Sequence, residues 1–403
     1  MNCISCKNKS FFSLLDLNKL PMVNNFSKSK EISSKRYDLK LTVCSNCKLI
    51  QLKKHVSPKK LFLKYKHYSA ASSSQVKHLK DVSDLIKINR TNKTKILEIG
   101  SNDNTMLNFL KDNFFFLCAV DPSAKKNLSN TNAVIKDFFS YKLSKIIKKK
   151  YGEFDYVVGI NVIPHVSQLN DVLKGVSNLL KPNGKFIVEG VYLYNNINKG
   201  LFDTFYHEHV SSFSIYSLEK ALNLCSMGVI KISLLKTQGG SFRAICSHLN
   251  SKYEKHISVK KILTNEKAKG VASKFNYNLI QKNLSKKISL LKIKLDKLVN
   301  NKIKNKMIIG LGAPARGVVM VNVLNLNKSI KFYIDDSKTK QNCYFPGTSS
   351  KVINWKNKNI PNCKYFILLS WNYRNDMINK LYKINKQFYL ISLFPKFKIE
   401  FFA

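Results

Sequence analysis

The sequence lacks any apolar run approaching the ~18 residues of a membrane-spanning helix. It also lacks the order of charged, apolar and small residues that marks a secretory signal. We therefore expect no membrane span and a reducing, cytoplasmic setting, in which cysteines serve as thiols or metal ligands. No repeat of fixed period is present. With 403 residues, the chain is long enough for two or three domains that each bury a core.

Acidic residues are scarce, since 24 Asp and Glu stand against 69 Lys and Arg, for a formal net charge of +45. Such a charge ordinarily raises nucleic acid as a partner. Here the excess is nearly all lysine, spread along the chain among many Asn and Ile, as a coding bias would give, without a basic stripe of interleaved aromatics. We predict no nucleic-acid partner. A basic, zinc-containing RNA-binding protein is the alternative from another functional class.

The chain divides into four regions by pattern. From Ile96 onward, apolar strands alternate with helical stretches, which predicts an α/β fold with a mostly parallel, doubly wound sheet. Residues 254–305 show no strand pattern, and a second strand, loop and helix begin at Met307. In the helical stretch, apolar residues at 4,3,4,3 spacing predict one buried face: Leu284, Ile288, Leu291, Leu295 and Leu298. The predicted domains are a cysteine-containing module (1–70), the doubly wound domain (71–250), a helical connector (251–305) and a smaller α/β domain (306–403).

Two CxxC pairs lie near the start of the chain, Cys3 with Cys6 and Cys44 with Cys47. Four thiolates in two such pairs can close a tetrahedral zinc site, provided that the long segment between them folds back. Zinc would be structural there, because four cysteine ligands leave no position for a reacting water. Four unrelated buried thiols are the alternative. The other five cysteines lie in apolar contexts and are predicted core residues: Cys118, Cys225, Cys246, Cys343 and Cys363.

Acidic and polar residues follow four successive strands of the doubly wound region. Glu98 ends the first strand and is followed by a turn at Gly100, and Asp121 ends the second, where a carboxylate can bind both hydroxyls of a ribose. Asp137 follows the third strand and Asn161 the fourth. The series suits S-adenosylmethionine better than a dinucleotide, because the acids of the loop would repel a pyrophosphate. An α/β domain whose acids only cap helices is the alternative.

With these features the sequence resembles the nucleotide-sugar C-methyltransferases, which place a branching methyl group on a keto-deoxysugar. The resemblance covers nearly the whole chain and implies a class I methyltransferase sheet between an N-terminal zinc-binding module and a C-terminal Rossmann-like domain. It rests on ordered motifs: CISC, PMVNNF, CSNCKLIQL, YKHYSAASSS, EIGSND, NVIPHV, FYHEHVSSFS, QGGSFR, GLGAPARG, IDDS, PGT and SWNY.

The resemblance implies a role for particular residues of this sequence. The zinc ligands would be Cys3, Cys6, Cys44 and Cys47. The S-adenosylmethionine contacts would be Glu98, Gly100, Ser101, Asn102, Asp121, Asp137, Phe138 and Asn161. The residues around the sugar and the transferred methyl would be Tyr65, Tyr68, His165, Tyr206, Glu208 and His209. Three positions depart from the family pattern: Asn104 and Lys48 stand where glycine is usual, and Pro164 precedes His165.

Methyl transfer to a carbon next to a ketone needs a base and a donor for the developing enolate oxygen. We assign His209 as the base, because a histidine pKa of about 6.5 suits that task, and Tyr206 as the donor. Glu208 can hold a sugar hydroxyl or orient an imidazole, and the two tyrosines of YKHYS can cap the far side of the pocket. His165 follows the fourth strand and should lie close to the sulfonium in a supporting polar role. An O- or N-methyltransferase, which would not need the YHEH cluster, is the alternative enzyme.

The motif GLGAPARG follows a predicted strand and satisfies the G-x-G-x-x-A pattern, with Asp335 placed as in a dinucleotide fingerprint. Its backbone N–H groups and helix N-terminus can receive an anion. By the resemblance, this loop holds the nucleotide diphosphate of the substrate, with Gly312, Ala313 and Arg316 as contacts. A nicotinamide cofactor and a purely structural turn are the alternatives.

Overall fold

Three β-sheets, taken from the N-terminal, central and C-terminal parts of the chain, organise the residues that the structure describes. The structure is a computed structural model, and it describes residues 1–63, 68–71, 73–88, 93–112, 114–124 and 131–403. In that part of the chain, no helix is both long and apolar enough to cross a membrane.

The N-terminal sheet is antiparallel and has four strands in the order β1-β2-β3-β9. The strands are β1 (Phe11–Pro21), β2 (Arg36–Cys44), β3 (Ile50–Leu52) and β9 (Ser211–Ser212), and the short helices are α1 (Lys30–Ser34) and α2 (Pro58–Phe62). Short apolar runs of the sequence, residues 39–43 and 49–52, lie in β2 and at β3. Strand β1 was not predicted, because two irregularities in its pairing with β2 break the alternation of buried and exposed side chains.

The central sheet has seven strands in the order β10-β11-β8-β7-β4-β5-β6. Its strands are β4 (Thr94–Ile99), β5 (Phe115–Val120), β6 (Ala133–Ile135), β7 (Phe154–Ile160), β8 (Leu180–Val191), β10 (Met227–Leu235) and β11 (Ser241–His248). The helices of this region are α3 (Ser73–Ile88), α4 (Thr105–Asn108), α5 (Tyr141–Tyr151), α6 (Leu169–Leu179), α7 (Leu193–Asn198) and α8 (Ile215–Asn223).

Strands β4 to β8 of the central sheet pair in parallel, and β10 and β11 add an antiparallel edge. The predicted doubly wound α/β fold is therefore confirmed. From β4 the chain builds β5 and β6 on one side and then crosses to β7 on the other. Ligands of such sheets bind where the strand order reverses, which is between the carboxyl ends of β4 and β7.

Two helices join the central and C-terminal sheets, α9 (Ile257–Ala268) and α10 (Lys274–Lys297), followed by a short π-helix at Leu298–Lys302. Helix α9 lies against β10, and α10 lies against β1 of the N-terminal sheet. The predicted apolar face of α10 is buried at Leu284, Leu291, Leu295 and Leu298 and partly buried at Ile288. Helix α10 therefore packs on the N-terminal unit, and α9 packs on the central sheet.

The C-terminal sheet has six strands in the order β14-β13-β12-β15-β16-β17, parallel except for β17. The strands are β12 (Ile308–Leu311), β13 (Phe332–Ile334), β14 (Lys351–Ile353), β15 (Tyr365–Leu368), β16 (Phe388–Ser392) and β17 (Lys398–Phe402), with helices α11 (Ala315–Val323) and α12 (Arg374–Tyr382). The strand, loop and helix that the sequence predicted from Met307 are confirmed as β12 and α11. Its strand order reverses between β12 and β15.

The cores of the three units are shared. One apolar cluster joins Cys3, Cys44 and Leu49 of the cysteine module to Leu169 and Leu218 of the central region. A second cluster runs from β1 and β2 through α10 to α11 of the C-terminal unit and includes Leu201, Phe202 and Phe205. The segment that carries the YHEH motif is therefore packed between all three units.

Candidate active site

The YHEH loop, residues 201–210, connects α7 to β9. It begins with a 3₁₀ turn at Phe202–Thr204, and Phe202 and Phe205 are buried. Strand β9 follows directly and pairs with β3, placing Ser211 opposite Gln51 and Ser212 opposite Ile50. The N-terminal sheet thus fixes the end of the loop, and the apolar core fixes its start.

His209 has a hydrogen bond on each ring nitrogen. Its Nδ1 lies 2.7 Å from the backbone oxygen of Thr204, and its Nε2 lies 2.8 Å from the hydroxyl oxygen of Tyr206. Because a carbonyl oxygen can only accept, Nδ1 carries the proton, and the Tyr206 hydroxyl donates to Nε2. The two rings also lie 4.0 Å apart between centroids. The structure therefore brings the predicted base and donor together.

The pKa of His209 lies well below its usual value, because burial disfavours the charged ring and because His165 and Arg316 add positive charge nearby. From the sequence we expected His209 to have an ordinary histidine pKa. A lowered pKa keeps the ring neutral at neutral pH. The lone pair of Nε2 is therefore present over a wider pH range than an unperturbed histidine would allow.

His165 and Glu208 complete the cluster. His165 lies in a 3₁₀ turn after β7, with its Nδ1 2.7 Å from the backbone oxygen of Glu208 and its ring centroid 5.0 Å from that of His209. Burial lowers the pKa of His165 to about 4. The ring lies beside His209 with Pro164 as its preceding residue.

Glu208 is buried, and its carboxylate accepts hydrogen bonds from the side-chain amide of Asn24 at 2.8 and 3.0 Å. Burial raises the pKa of Glu208 to about 7, and the Asn24 amide opposes this rise. Asn24 was missed as a site residue, although it lies in the PMVNNF motif. His207, also unassigned, is buried with its Nε2 3.1 Å from the backbone oxygen of Tyr37. Both contacts tie the loop to the N-terminal unit.

A small cavity of about 10 Å³ adjoins His209 and Thr204, which is room for one water molecule. Two residues of its lining, Asn196 and Ser211, each carry a buried polar atom without a protein partner, Oδ1 and Oγ respectively. The cavity is therefore polar enough to hold a water beside the backbone that positions His209.

Two tyrosines of the YKHYS motif, Tyr65 and Tyr68, were predicted site residues. Tyr65 lies outside the described residues, and Tyr68 is 43% exposed. Tyr68 directly precedes a 3₁₀ turn whose Ser69 and Ala70 N–H groups donate to the side chains of Asn102 and Asp103, at 3.2 and 2.9 Å. This motif therefore contacts the loop that follows β4.

The loop after β4 lies at the point where the strand order reverses. Gly100 has a φ of 70°, and a Cβ there would lie 2.5 Å from Cγ2 of Val162, which follows β7. Asn104 has a φ of 59°, so this replacement for glycine adopts the left-handed conformation that asparagine tolerates. Buried polar atoms of the loop lack a protein partner: Oε2 of Glu98, Oγ of Ser101 and both amide atoms of Asn104. Buried polar groups are nearly always satisfied, so this set fits a bound polar ligand.

The acidic residues around this loop differ in their hydrogen bonds: Glu98 has a buried oxygen without a protein partner, and Asp121 is hydrogen-bonded. Burial, with the nearby charges of Asp121 and Asp103, raises the pKa of Glu98 well above its usual value. The Asp121 carboxylate accepts from the N–H of Asn102 at 3.0 Å and from the N–H and hydroxyl of Ser123 at 2.7 and 2.6 Å. It therefore supports the glycine turn from the end of β5.

The remaining predicted cofactor contacts lie along the same edge of the sheet. Asp137 is exposed and accepts from the N–H of Phe138 at 2.7 Å, and the Phe138 ring is half-buried. Asn161 has a φ of 56° directly after β7, and its N–H donates to the oxygen of Glu189 at 3.1 Å. Glu98 is the penultimate residue of β4, and the other predicted contacts follow β4, β5, β6 or β7 at the carboxyl edge.

Four cysteines meet at the start of the chain. The sulfur atoms of Cys3, Cys6, Cys44 and Cys47 all lie within 4.8 Å of one another, with Cys3 to Cys47 and Cys6 to Cys44 at 3.5 Å. Tetrahedral zinc with Zn–S bonds of ~2.3 Å separates its sulfurs by about 3.8 Å. The donor set and spacing therefore fit zinc, and the β1–β2 hairpin provides the predicted fold-back.

The two cysteine turns have the same backbone form. The N–H of Lys7 donates to the oxygen of Cys3, and the N–H of Lys48 donates to that of Cys44, each at 3.1 Å. Lys7 and Lys48 have φ values of 62° and 59°. Residue 48 has a left-handed backbone conformation, which glycine adopts freely. Lys48 adopts it at a cost of about 1–2 kcal/mol.

The loop after β12 has internal partners for its polar groups. Gly312 has a φ of 89°, and a Cβ there would lie 1.8 Å from Oγ of Ser370. The Ala313 N–H donates to the Asp335 carboxylate at 2.8 Å, and the Lys340 ammonium donates to the Ala313 oxygen at 2.9 Å. The Arg316 guanidinium pairs with Asp203 of the YHEH loop.

Models of three protein domains match the chain in order. A zinc binding domain matches residues 3–62, a methyltransferase domain matches 65–224, and a C-methyltransferase C-terminal domain matches 236–392. The C-methyltransferase NovU of Streptomyces niveus is 25% identical over 390 residues, which cover 94% of this chain and 91% of NovU.

Solved structures resemble part of the chain. The PH0226 protein of Pyrococcus horikoshii is 17% identical, with 47% of this chain and 97% of that chain covered and a TM-score of 0.34. An S-adenosylmethionine-dependent methyltransferase of Clostridium acetobutylicum is 14% identical, with 44% and 93% covered and a TM-score of 0.33.

The doubly wound sheet and the matched domains define a SAM-dependent methyltransferase. More narrowly, the chain has a zinc binding domain, a methyltransferase domain and a C-methyltransferase C-terminal domain in that order, as its family matches and its similarity to the C-methyltransferase NovU show.

Proposed function

We propose that this enzyme transfers the methyl group of S-adenosylmethionine to the carbon next to the ketone of a nucleotide-linked keto-deoxysugar. The observation that carries the proposal is the hydrogen-bonded chain Thr204–His209–Tyr206, with the buried carboxyl of Glu208 beside it. Carbon next to a ketone becomes nucleophilic only after a proton leaves, so a base and an enolate donor are needed together. Methyl transfer to oxygen or nitrogen would not require this cluster.

The carboxyl edge of the central sheet is the proposed cofactor site. When bound there, S-adenosylmethionine supplies a methyl group on a positively charged sulfur, which a carbon nucleophile can attack. The orphaned polar atoms of Glu98, Ser101 and Asn104 support this placement. The proposed contacts are Glu98, Gly100, Ser101, Asn102, Asp121, Asp137, Phe138 and Asn161. We likewise propose structural zinc on Cys3, Cys6, Cys44 and Cys47.

His209 is the proposed proton acceptor. Its Nδ1 proton is held by Thr204, so Nε2 is the atom with a lone pair. For Nε2 to take a proton from the sugar carbon, the Tyr206 hydroxyl has to leave it. The hydroxyl then donates a hydrogen bond to the ketone oxygen of the sugar. This bond stabilises the enolate as it forms. His165, whose ring lies 5.0 Å from that of His209, and Glu208 are proposed to hold the sugar, as are Tyr65 and Tyr68.

The nucleotide end of the substrate is assigned by resemblance alone. Contacts of Gly312, Ala313 and Arg316 with the diphosphate stay a prediction, as does a cytoplasmic setting. The Ala313 N–H already donates to Asp335, so a diphosphate would have to compete with that carboxylate.

The test is to incubate the protein with S-adenosylmethionine labelled in its methyl group and a panel of nucleotide-linked keto-deoxysugars, then locate the label by mass spectrometry and NMR. We expect a new carbon–carbon bond beside the ketone. We also expect His209→Gln to lower the rate by about 100-fold or more, while the matched change His256→Gln, at an exposed histidine, leaves it unchanged. Label found on oxygen or nitrogen, or full activity of His209→Gln, would contradict the proposal.

A further inference from the structure

A buried carboxylate of the YHEH loop is held by side chains of the C-terminal unit. Asp203 is fully buried, and Arg316 donates to its two oxygens from Nε and Nη2, both at 2.9 Å. The indole N–H of Trp371 donates to the same carboxylate at 2.9 Å, and the Arg316 guanidinium lies 4.7 Å from the Trp371 ring centroid. Paired N–H groups on a carboxylate fix its orientation as well as its position.

The residue after Asp203 sets the direction of His209. The oxygen of Thr204 accepts the Nδ1 proton of His209, and the Thr204 hydroxyl donates to the oxygen of Leu201 at 3.2 Å. Asp203 and Thr204 share one 3₁₀ turn, Phe202–Thr204. A rotation of that turn would move the carbonyl that orients the imidazole.

We propose that Arg316 is a positioning residue for His209, acting through the Asp203 carboxylate and the Thr204 carbonyl. The proposal rests on the proposed function of His209 as proton acceptor. It gives the C-terminal unit a part in the chemical step. This role differs from the contact with the diphosphate that the resemblance predicts for Arg316. A guanidinium paired with a buried carboxylate attracts a phosphate only weakly.

The kinetic test replaces Arg316 by lysine, which keeps the charge and loses the fork of two N–H groups. Arg374→Lys is the matched control, because Arg374 pairs with Glu400 within the same unit at 2.6 Å. We expect Arg316→Lys to lower kcat at least about tenfold, since small displacements of catalytic groups cost that much or more. The KM for the keto-sugar and the Kd for S-adenosylhomocysteine should stay within about threefold. A raised KM with kcat retained, or no change at all, would overturn the proposal.

A second test needs no sugar, so it separates this proposal from the proposed function. NMR of the full chain labelled with ¹⁵N-histidine reports which ring nitrogen carries the proton, with His209→Gln identifying the signal. We expect the Nδ1–H form in the unmodified protein and a mixture of both forms in Arg316→Lys. The same form in both proteins would overturn the proposal, whether or not a sugar is methylated.

Trp371→Phe provides a second test of the same contact in case the Arg316→Lys variant does not fold. It keeps a ring for stacking and removes one N–H donor from Asp203. The expected change is in the same direction and smaller, about threefold in kcat, as for the loss of one hydrogen bond. A larger effect on KM than on kcat would contradict the positioning role.

Discussion

Two loops of this chain have the same strand, glycine and helix plan, yet their polar groups contact different partners. One follows β4 and the other follows β12, each where the strand order of its sheet reverses. Gly100 and Gly312 have φ values of 70° and 89°. In both, an aspartate at the end of the next strand accepts from a loop N–H, Asp121 at 3.0 Å and Asp335 at 2.8 Å.

The difference lies in which polar groups lack a partner. Around the first loop, Glu98, Ser101 and Asn104 carry buried polar atoms without one. Around the second, in the described residues 310–317 and 335–340, no buried side-chain polar atom lacks a partner, and Lys340 covers the Ala313 oxygen. Topology alone therefore does not identify a cofactor site. The cluster of unsatisfied buried groups at the loop after β4 supports our proposal that the cofactor binds there.

The largest expected effect comes from the N-terminal unit, because its strand β3 pairs with β9 at the end of the YHEH loop. In Cys44→Ser the cluster loses one of four ligands, and structural zinc contributes much of the folding free energy of its module. Strand β3 would then no longer fix β9 beside the YHEH loop. We expect zinc content to fall from one ion per chain to none and turnover to fall to background. Cys343→Ser is the control and should keep both. Full turnover without zinc would contradict the account.

The glycine loops themselves provide the sharpest comparison. An added Cβ at Gly100 would meet Val162 and strain a left-handed residue at the cofactor site, so we expect Gly100→Ala to weaken S-adenosylhomocysteine binding at least about tenfold. Gly312→Ala meets Ser370 more severely and should lower the melting temperature. Titration calorimetry should nevertheless find its cofactor affinity unchanged. Equal losses of affinity in both variants would remove the distinction between the loops.

The two aspartates extend the comparison with a smaller effect. Asp121→Asn weakens the support of the glycine turn and removes a charge from the proposed ribose site. We expect cofactor affinity to fall by about fivefold, as for the loss of a charge-assisted hydrogen bond. Asp335→Asn makes the same change at the second loop and should leave that affinity unchanged. Calorimetry under identical conditions checks both, and the reverse order of effects would contradict the assignment.

The smallest expected effect is on pH dependence. The raised pKa of Glu98 means that its carboxyl is protonated at the acid end of the accessible range and ionises as the pH rises. The Glu98 carboxylate attracts the positive sulfonium of S-adenosylmethionine. The affinity of the protein for S-adenosylmethionine should therefore rise by a few-fold as Glu98 ionises. In Glu98→Gln the slope should vanish. A slope that survives in Glu98→Gln would assign it to another group.

Local pattern explains why much of the fold was predictable. The central and C-terminal strands are short apolar runs, the face of α10 has helical spacing, and the cofactor loop lies in one stretch of sequence. The YHEH cluster was likewise visible because its members are neighbours. These features depend on residues close together in the chain.

The missed features all depend on contacts between distant residues. Asn24 and Glu208 are separated by 184 residues, and Arg316 and Asp203 by 113. The irregular pairing of β1 hid its alternation, and β9 is two residues long. The lowered pKa of His209 follows from burial, which the sequence does not show at a loop position. A single sequence contains no local signal for any of these.

Exchange of hydrogen at the sugar carbon tests the central claim most directly, because it reports the base without methyl transfer. The enzyme, S-adenosylhomocysteine and a keto-sugar that it methylates are incubated in D₂O, and NMR follows the signal of the carbon next to the ketone. We expect deuterium uptake well above the enzyme-free rate, lost in His209→Gln and retained in His256→Gln. Uptake that persists in His209→Gln would show that another group takes the proton.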